Sequence, residues 1–193
     1  MRILANQRGQ IVSTWSLTTL RYPRGSVANG ARRVIATEAK TEIASLPAKA
    51  RKRLETRRWH DVREGDALNP ITLPITVTRL VMLANATRDF YEVHHDQQYA
   101  RANGAQDIFV NNTAYSGVFN RIANDWAGPL AQIRKLDFTM REMNCPDDVL
   151  VGTGHVDKKY VSNINQQLVD LSIVLSNQRV PTTFATATVE LLQ

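Results

Sequence analysis

The stretch from about Thr113 to Trp126 restricts the fold of this chain more than any other part of it. Val118, Ile122 and Trp126 recur at four-residue spacing with Tyr115, Phe119 and Ala123 beside them, so the helix this spacing predicts is apolar over much of its circumference. Such a helix has to be wrapped by other elements. Gly128-Pro129 ends it. Four strand candidates come after it with no further helix between them: Gln132–Met143, Leu150–Val156, Gln166–Asn177 and Thr183–Leu192. The second pair alternates well, as in Leu171, Ile173 and Leu175 or Ala185, Ala187 and Val189, and Cys145-Pro146-Asp147-Asp148 predicts a tight turn between the first two. The expected class is α+β, a four-stranded antiparallel meander that curls as a sheet round one long central helix.

Ahead of that helix, Glu64-Gly65-Asp66 reads as a turn and the β-branched run Ile71–Val77 as a strand. Thr78 is the expected N-cap of a short helix over Arg79–Thr87, which delivers Arg88 and Asp89 at its end. Another short helix over residues 97–103 stops at Gly104, and Ile108-Phe109-Val110 links it to the long helix.

The chain has 193 residues and a formal net charge of +6, and the charge is unevenly distributed. Residues 1–60 hold 13 Lys/Arg against 3 Asp/Glu, and residues 61–193 hold 11 against 15. A domain over 59–193 and a basic N-terminal extension over 1–58, expected to be disordered, are inferred from that contrast and from the absence of a clean apolar face along Thr41–Arg58. Residues 1–37, with six Arg, many Ser/Thr and no acid, also have the composition of a transit peptide, and an upstream start would look the same. The positive excess lies outside the domain and lacks interleaved aromatics, which argues against nucleic acid as a partner. No apolar run approaches the roughly 18–20 residues needed to span a bilayer, so no membrane role is expected. A single cysteine, Cys145, excludes an internal disulfide framework and a Cys-based zinc site, and a reducing cytoplasm is the expected compartment.

The residues with chemistry cluster in RDFYEVHHD, Arg88 to Asp96. Asp89 precedes His94 by five residues and Asp96 comes two after it, a spacing that lets an irregular loop bring a carboxylate and an imidazole to one small volume where water can be activated. Spacing alone leaves two other readings open: His94 and His95 as surface residues with Asp96 capping the next helix, or metal binding by His94, His95 and Asp96.

Residues from about Trp59 to Leu192 resemble the MaoC-like dehydratases, the (R)-specific enoyl-CoA hydratases of the hotdog fold. The family's Asp, the His five positions later and the Asp two after that fall on Asp89, His94 and Asp96. Its next Ala and Gly fall on Ala100 and Gly104, and its second helix Gly falls on Gly117. Gly65-Asp66 and Pro146-Asp147-Asp148 echo the family's turns. Two positions depart from the pattern: Tyr91 stands where the family has Asn, and Asn111-Asn112 where it has the His-Gly pair that opens the central helix. The runs RDFYEVHHD, DIFVNN and DWAG look most like the short subunits that hydrate steroid side-chain enoyl-CoA esters together with a second hotdog chain.

The resemblance implies a hydro-lyase that adds water across an α,β-unsaturated acyl thioester or removes it from the 3-hydroxyacyl form. Asp89 and His94 would share the proton transfers. Asn112 would offer its backbone N–H to the thioester oxygen, with Tyr91 and Asn111 beside it as substrate-binding residues. The substrate would be an acyl-CoA thioester, with no metal or organic cofactor. The active form would be a homodimer or a heteromer with a second hotdog subunit. A non-catalytic subunit that completes a partner's acyl-CoA pocket and a hotdog acyl-CoA thioesterase are the alternative readings.

Overall fold

The computed structural model describes residues 2–5, 11–15 and 55–192 and divides the chain into two compact units, Met1–Thr41 and Glu42–Gln193. In the first unit, β1 (Arg2–Ala5) pairs antiparallel with β2 (Ile11–Trp15), Arg2 opposite Trp15. The sequence predicts a disordered extension over these residues. Ile3, Ile11, Val12 and Thr14 give them strand character that the basic composition around them obscures. Residues 16–54, most of the expected extension, lie outside the described residues.

The second unit runs β3 (Ile71–Pro74), α1 (Val77–Thr87), α2 (Gln97–Ala102), α3 (Asn112–Ala127), β4 (Gln132–Met140), β5 (Val149–Val161), β6 (Gln167–Ser176) and β7 (Pro181–Glu190). The five strands among its described residues join one antiparallel sheet in the order β3-β5-β6-β7-β4. This is the curled sheet and central helix the sequence predicts, with one correction to its path. The four strands after α3 are not a meander, because β4 pairs with β7 and β5 takes β3 as its other neighbour, Ile71 opposite Gly152. Alternation specifies which face a strand buries and leaves its neighbours unspecified.

The sheet's inner face and α3 make the core. Tyr115, Phe119, Ile122, Ala123 and Trp126 of α3 are buried against Leu150 of β5, Val169, Leu171, Ile173 and Leu175 of β6, and Ala185, Ala187 and Val189 of β7. Gly152 sets how closely α3 approaches. A Cβ there would lie 2.7 Å from Ile122 Cδ1 and 2.9 Å from Ile71 Cγ1, so the absence of a side chain is what lets Ile122 seat on the sheet.

Two boundaries differ from expectation. Thr76, and not Thr78, caps α1: its hydroxyl accepts from the Arg79 N–H at 3.1 Å, and the strand has already ended at Pro74. The contacts of the domain also begin ahead of Trp59. Arg57 donates from its backbone N–H to Ala127 O (2.9 Å) and from Nε to Trp126 O (2.7 Å), two carbonyls that α3 leaves without intrahelical partners at its C-terminus. Thr56 Oγ1 accepts from the Leu130 N–H at 3.2 Å, and the Arg57 guanidinium lies 5.1 Å from the centre of the Trp126 ring. Gly128, in the left-handed region at φ +94°, passes so close that a Cβ would stand 2.4 Å from Thr56 Cα.

Candidate active site

The candidate acid/base residues lie in the turn that leaves α1. That helix closes on Arg88, held in the left-handed region (φ 55°, ψ 32°), with the N–H groups of Arg88 and Asp89 both donating to Ala84 O. A left-handed non-glycine residue costs about 1 kcal/mol, and here it reverses the chain so that Asp89 turns back toward the Glu92–His94 segment. A 3₁₀ turn over Glu92–His94 then carries His94 into the interior, where only 7% of it remains exposed. Asp96 caps α2 by accepting from the Tyr99 N–H at 2.9 Å, and Gly104 (φ 87°) lies just past the end of α2. Asp107 pins the return. Burial alone would push its carboxyl up, but hydrogen bonds from the Ile108 N–H, Arg101 and Gln97 hold it below the usual carboxylate range.

His94 is oriented by the link into α3. Its Nδ1 lies 2.8 Å from Phe109 O, and since a carbonyl only accepts, Nδ1 carries the proton and Nε2 of the neutral ring presents a lone pair. Nε2 faces Asp89 Oδ2 at 3.5 Å, too long for a direct hydrogen bond. With the ring in its neutral form, that gap separates two acceptors that the two O–H groups of one water can satisfy, and the Asp89 side chain, 35% exposed, keeps the point open to the outside. The rings of Phe109 (centroids 5.0 Å apart) and Tyr91 (6.2 Å) stand edge-on to the imidazole and confine it. Tyr91 is 52% exposed. His95 points the other way, its Nε2 bonding Phe90 O at 3.1 Å, beside an open apolar cleft of about 470 Å³ lined by Val81, Met82, Ala84, Asn85 and Phe90.

The start of α3 supplies the third part. Asn112 is the first helical residue, so its N–H has no intrahelical acceptor and sits at the positive end of the helix dipole. Asn111 is the N-cap and is 2% exposed; its Oδ1 accepts from the Ala114 N–H (2.8 Å) and its Nδ2 donates to Thr87 Oγ1 (2.6 Å). Both polar ends of its side chain thus have protein partners. The fold brings Asp89, His94 and Tyr91 together around one point and places Asn112 at the mouth of α3. It gives Asn111 to the helix cap. Thr87 and Phe109 were not singled out in the sequence, although Thr87 lies two residues before Asp89 and Phe109 within the run that leads into α3.

Other chemistry is poorly supported. Burial pushes the Cys145 thiol up to about 11, which leaves no thiolate near neutral pH. No group of three or more His, Cys, Asp or Glu converges on a metal position among the described residues. A second concavity of about 390 Å³, lined by Lys135, Asp157, Lys158, Asp170, Thr186, Ala187 and Thr188, contains none of the candidate residues.

Comparison with known proteins identifies the family and the fold. No protein-family model matches the chain. The 3-oxo-4,17-pregnadiene-20-carboxyl-CoA hydratase beta subunit of Mycobacterium tuberculosis is 37% identical over 127 residues, 66% of this chain and 93% of the relative. The chain belongs to the MaoC-like hydratase family. Among solved structures, the ChsH1-ChsH2 complex of M. tuberculosis superposes with a TM-score of 0.63 at 32% identity, covering 67% of this chain and 98% of that one. The (R)-hydratase of A. caviae involved in PHA biosynthesis superposes with a TM-score of 0.60 over 67% of this chain and 97% of that one. At 13% identity it shares the fold alone, which is the hotdog fold.

Proposed function

We propose that this chain is a catalytic subunit of an enoyl-CoA hydratase and that Asp89 and His94 carry the proton transfers. The observation behind the reading is the imidazole tautomer: the Nδ1–H bond to Phe109 O leaves the Nε2 lone pair facing the Asp89 carboxylate across 3.5 Å. A water held between them loses a proton to the pair as its oxygen bonds to C3 of the conjugated thioester. The electrons of the C2–C3 double bond shift toward the carbonyl, and the enolate oxygen is stabilised by the Asn112 N–H. The pair returns a proton to C2, so that one water is added and the residues are restored. The reverse sequence dehydrates a 3-hydroxyacyl thioester.

The substrate we assign is a steroid side-chain enoyl-CoA. The similarity to a subunit that carries such a substrate in its name supports this. Assembly with a second hotdog chain in the cytoplasm completes the proposal, supported by the likeness to one chain of a two-subunit complex. The test is to purify the chain with whatever copurifies from its host and to present trans-2-enoyl-CoA thioesters from crotonyl-CoA to a steroid side-chain ester. Loss of the enoyl absorbance without release of free CoA, abolished by Asp89→Asn, supports the hydratase. Release of free CoA would make it a thioesterase. Full activity in Asp89→Asn and His94→Ala would leave the chain a scaffold for its partner's site.

A further inference from the structure

The two halves of the site come from different helices, and one hydroxyl joins them. Thr87, the last residue of α1, donates its single proton back along the helix to Leu83 O at 2.7 Å, with a longer approach to Ala84 O at 3.4 Å. That donation turns a lone pair outward, and Asn111 Nδ2 donates to it at 2.6 Å. Asn111 is the N-cap of α3 and uses Oδ1 to hold the Ala114 N–H, so its side chain has no freedom left. Asp89 comes two residues after Thr87, and Asn112 one after Asn111. The remaining ties of the same link reach the other catalytic group and the core: Phe109 O takes His94 Nδ1, the Phe109 N–H reaches Val93 O at 3.3 Å, and the Val110 N–H reaches Asn144 O at 3.1 Å.

We propose that Thr87 is a positioning residue of the hydratase, its hydroxyl fixing the acid/base turn at Asp89 relative to the oxyanion donor at Asn112 through the side chain of Asn111. The inference rests on the hydratase reading of Asp89 and His94. The physical ground is that catalysis by orientation tolerates little slack: a displacement of about 1 Å costs on the order of 10²-fold in rate. The Asp89 turn leaves α1 through a left-handed residue, and the Thr87 bond is a side-chain tie between the end of α1 and the cap of α3. Thr87 does not touch the reacting atoms; its effect passes through Asn111 and the turn.

The test uses the purified assembly with the enoyl-CoA that the parent turns over fastest. Thr87→Val keeps the shape and removes the hydroxyl, and it should lower kcat by about 10–10²-fold with KM within about twofold. Thr87→Ser keeps the hydroxyl and should recover most of kcat. Asn111→Ser still caps α3 but cannot reach Thr87; it should reproduce the loss without stranding a buried amide, and it serves if Thr87→Val does not fold. The double variant should be no slower than the worse single one. Parental kcat in either Thr87→Val or Asn111→Ser, a loss confined to KM, or a Thr87→Ser as slow as Thr87→Val would overturn the proposal. Asp89→Asn measured alongside separates the two readings. If it is inactive while Thr87→Val is parental, only the positioning role falls; if it is fully active, both fall.

Discussion

His94 turns its lone-pair nitrogen toward the Asp89 carboxylate across 3.5 Å, a gap at which the two groups serve a shared third molecule better than each other. If they act on one water, removing either removes the function of both. Asp89→Asn and His94→Ala should each lower kcat by roughly 10²–10⁴-fold, and the double variant should be scarcely slower than either. His95→Ala, whose ring bonds Phe90 O on the other side of the turn, should cost far less. Steady-state kinetics on the assembled enzyme check this, and multiplicative losses would mean that the two groups act in separate steps.

Where the domain begins can be read by truncation. Deleting residues 1–54 should leave the melting temperature of the remainder within a few degrees. Deleting 1–58 also removes the Arg57 bonds to Trp126 O and Ala127 O and the Thr56 bond to Leu130, and at about 1 kcal/mol each it should lower the melting temperature by roughly 5–10 °C. Equal melting temperatures for the two truncations would show that this strap contributes nothing.

Alkaline stability should report on Tyr115. Burial pushes its hydroxyl from 10 up to about 12, against the hydrogen bonds of Asn144 and Thr183. A raised pKa favours the protonated form in the folded state, so its contribution is complete below about pH 10 and is lost as pH rises from 10 to about 12. Tyr115→Phe should flatten that fall in denaturation experiments. The buried Cys145 thiol titrates in an overlapping range, and the comparison between parent and variant removes its share.

The functional unit should contain at least two hotdog chains. Among the described residues β3 and β4 are the edges of the sheet, and β4 presents nine residues of strand with one neighbour. Light scattering on the active preparation decides the matter: a monomer that hydrates enoyl-CoA at micromolar concentration refutes the assembly.

Much of the fold was legible because its signals are local. The apolar girth of Thr113–Trp126 called for a wrapped helix, and the alternation of Leu171, Ile173 and Leu175 matched buried positions on β6. Strand order was not legible, since nothing in the residues of β4 names β7 as its neighbour. The cap of α1 was misplaced because Thr76 and Thr78 are equally good capping residues, and only the exit of the strand at Pro74 chooses between them. Asp89 and His94 stand out in the sequence as a carboxylate and an imidazole five residues apart, and the resemblance to a known family implies their roles. The roles of Thr87 and Phe109 depend on side-chain and carbonyl directions across two helices, which a linear pattern does not encode.

The strand order also bears on how the chain is made. β4 comes directly after the central helix in the sequence, yet its partner in the sheet is β7, which pairs Gln132 with Glu190 near the far end of the described chain. During synthesis, therefore, β4 must leave the ribosome and wait, with the apolar flank of α3 incompletely covered, until the final strand emerges and slots between it and β6. The acid/base turn and the start of α3 lie within residues 87–112 and can take shape from near neighbours long before that. β7 is thus the strand that completes the sheet, and a nascent chain stalled short of it would expose both an open edge and an oily helix.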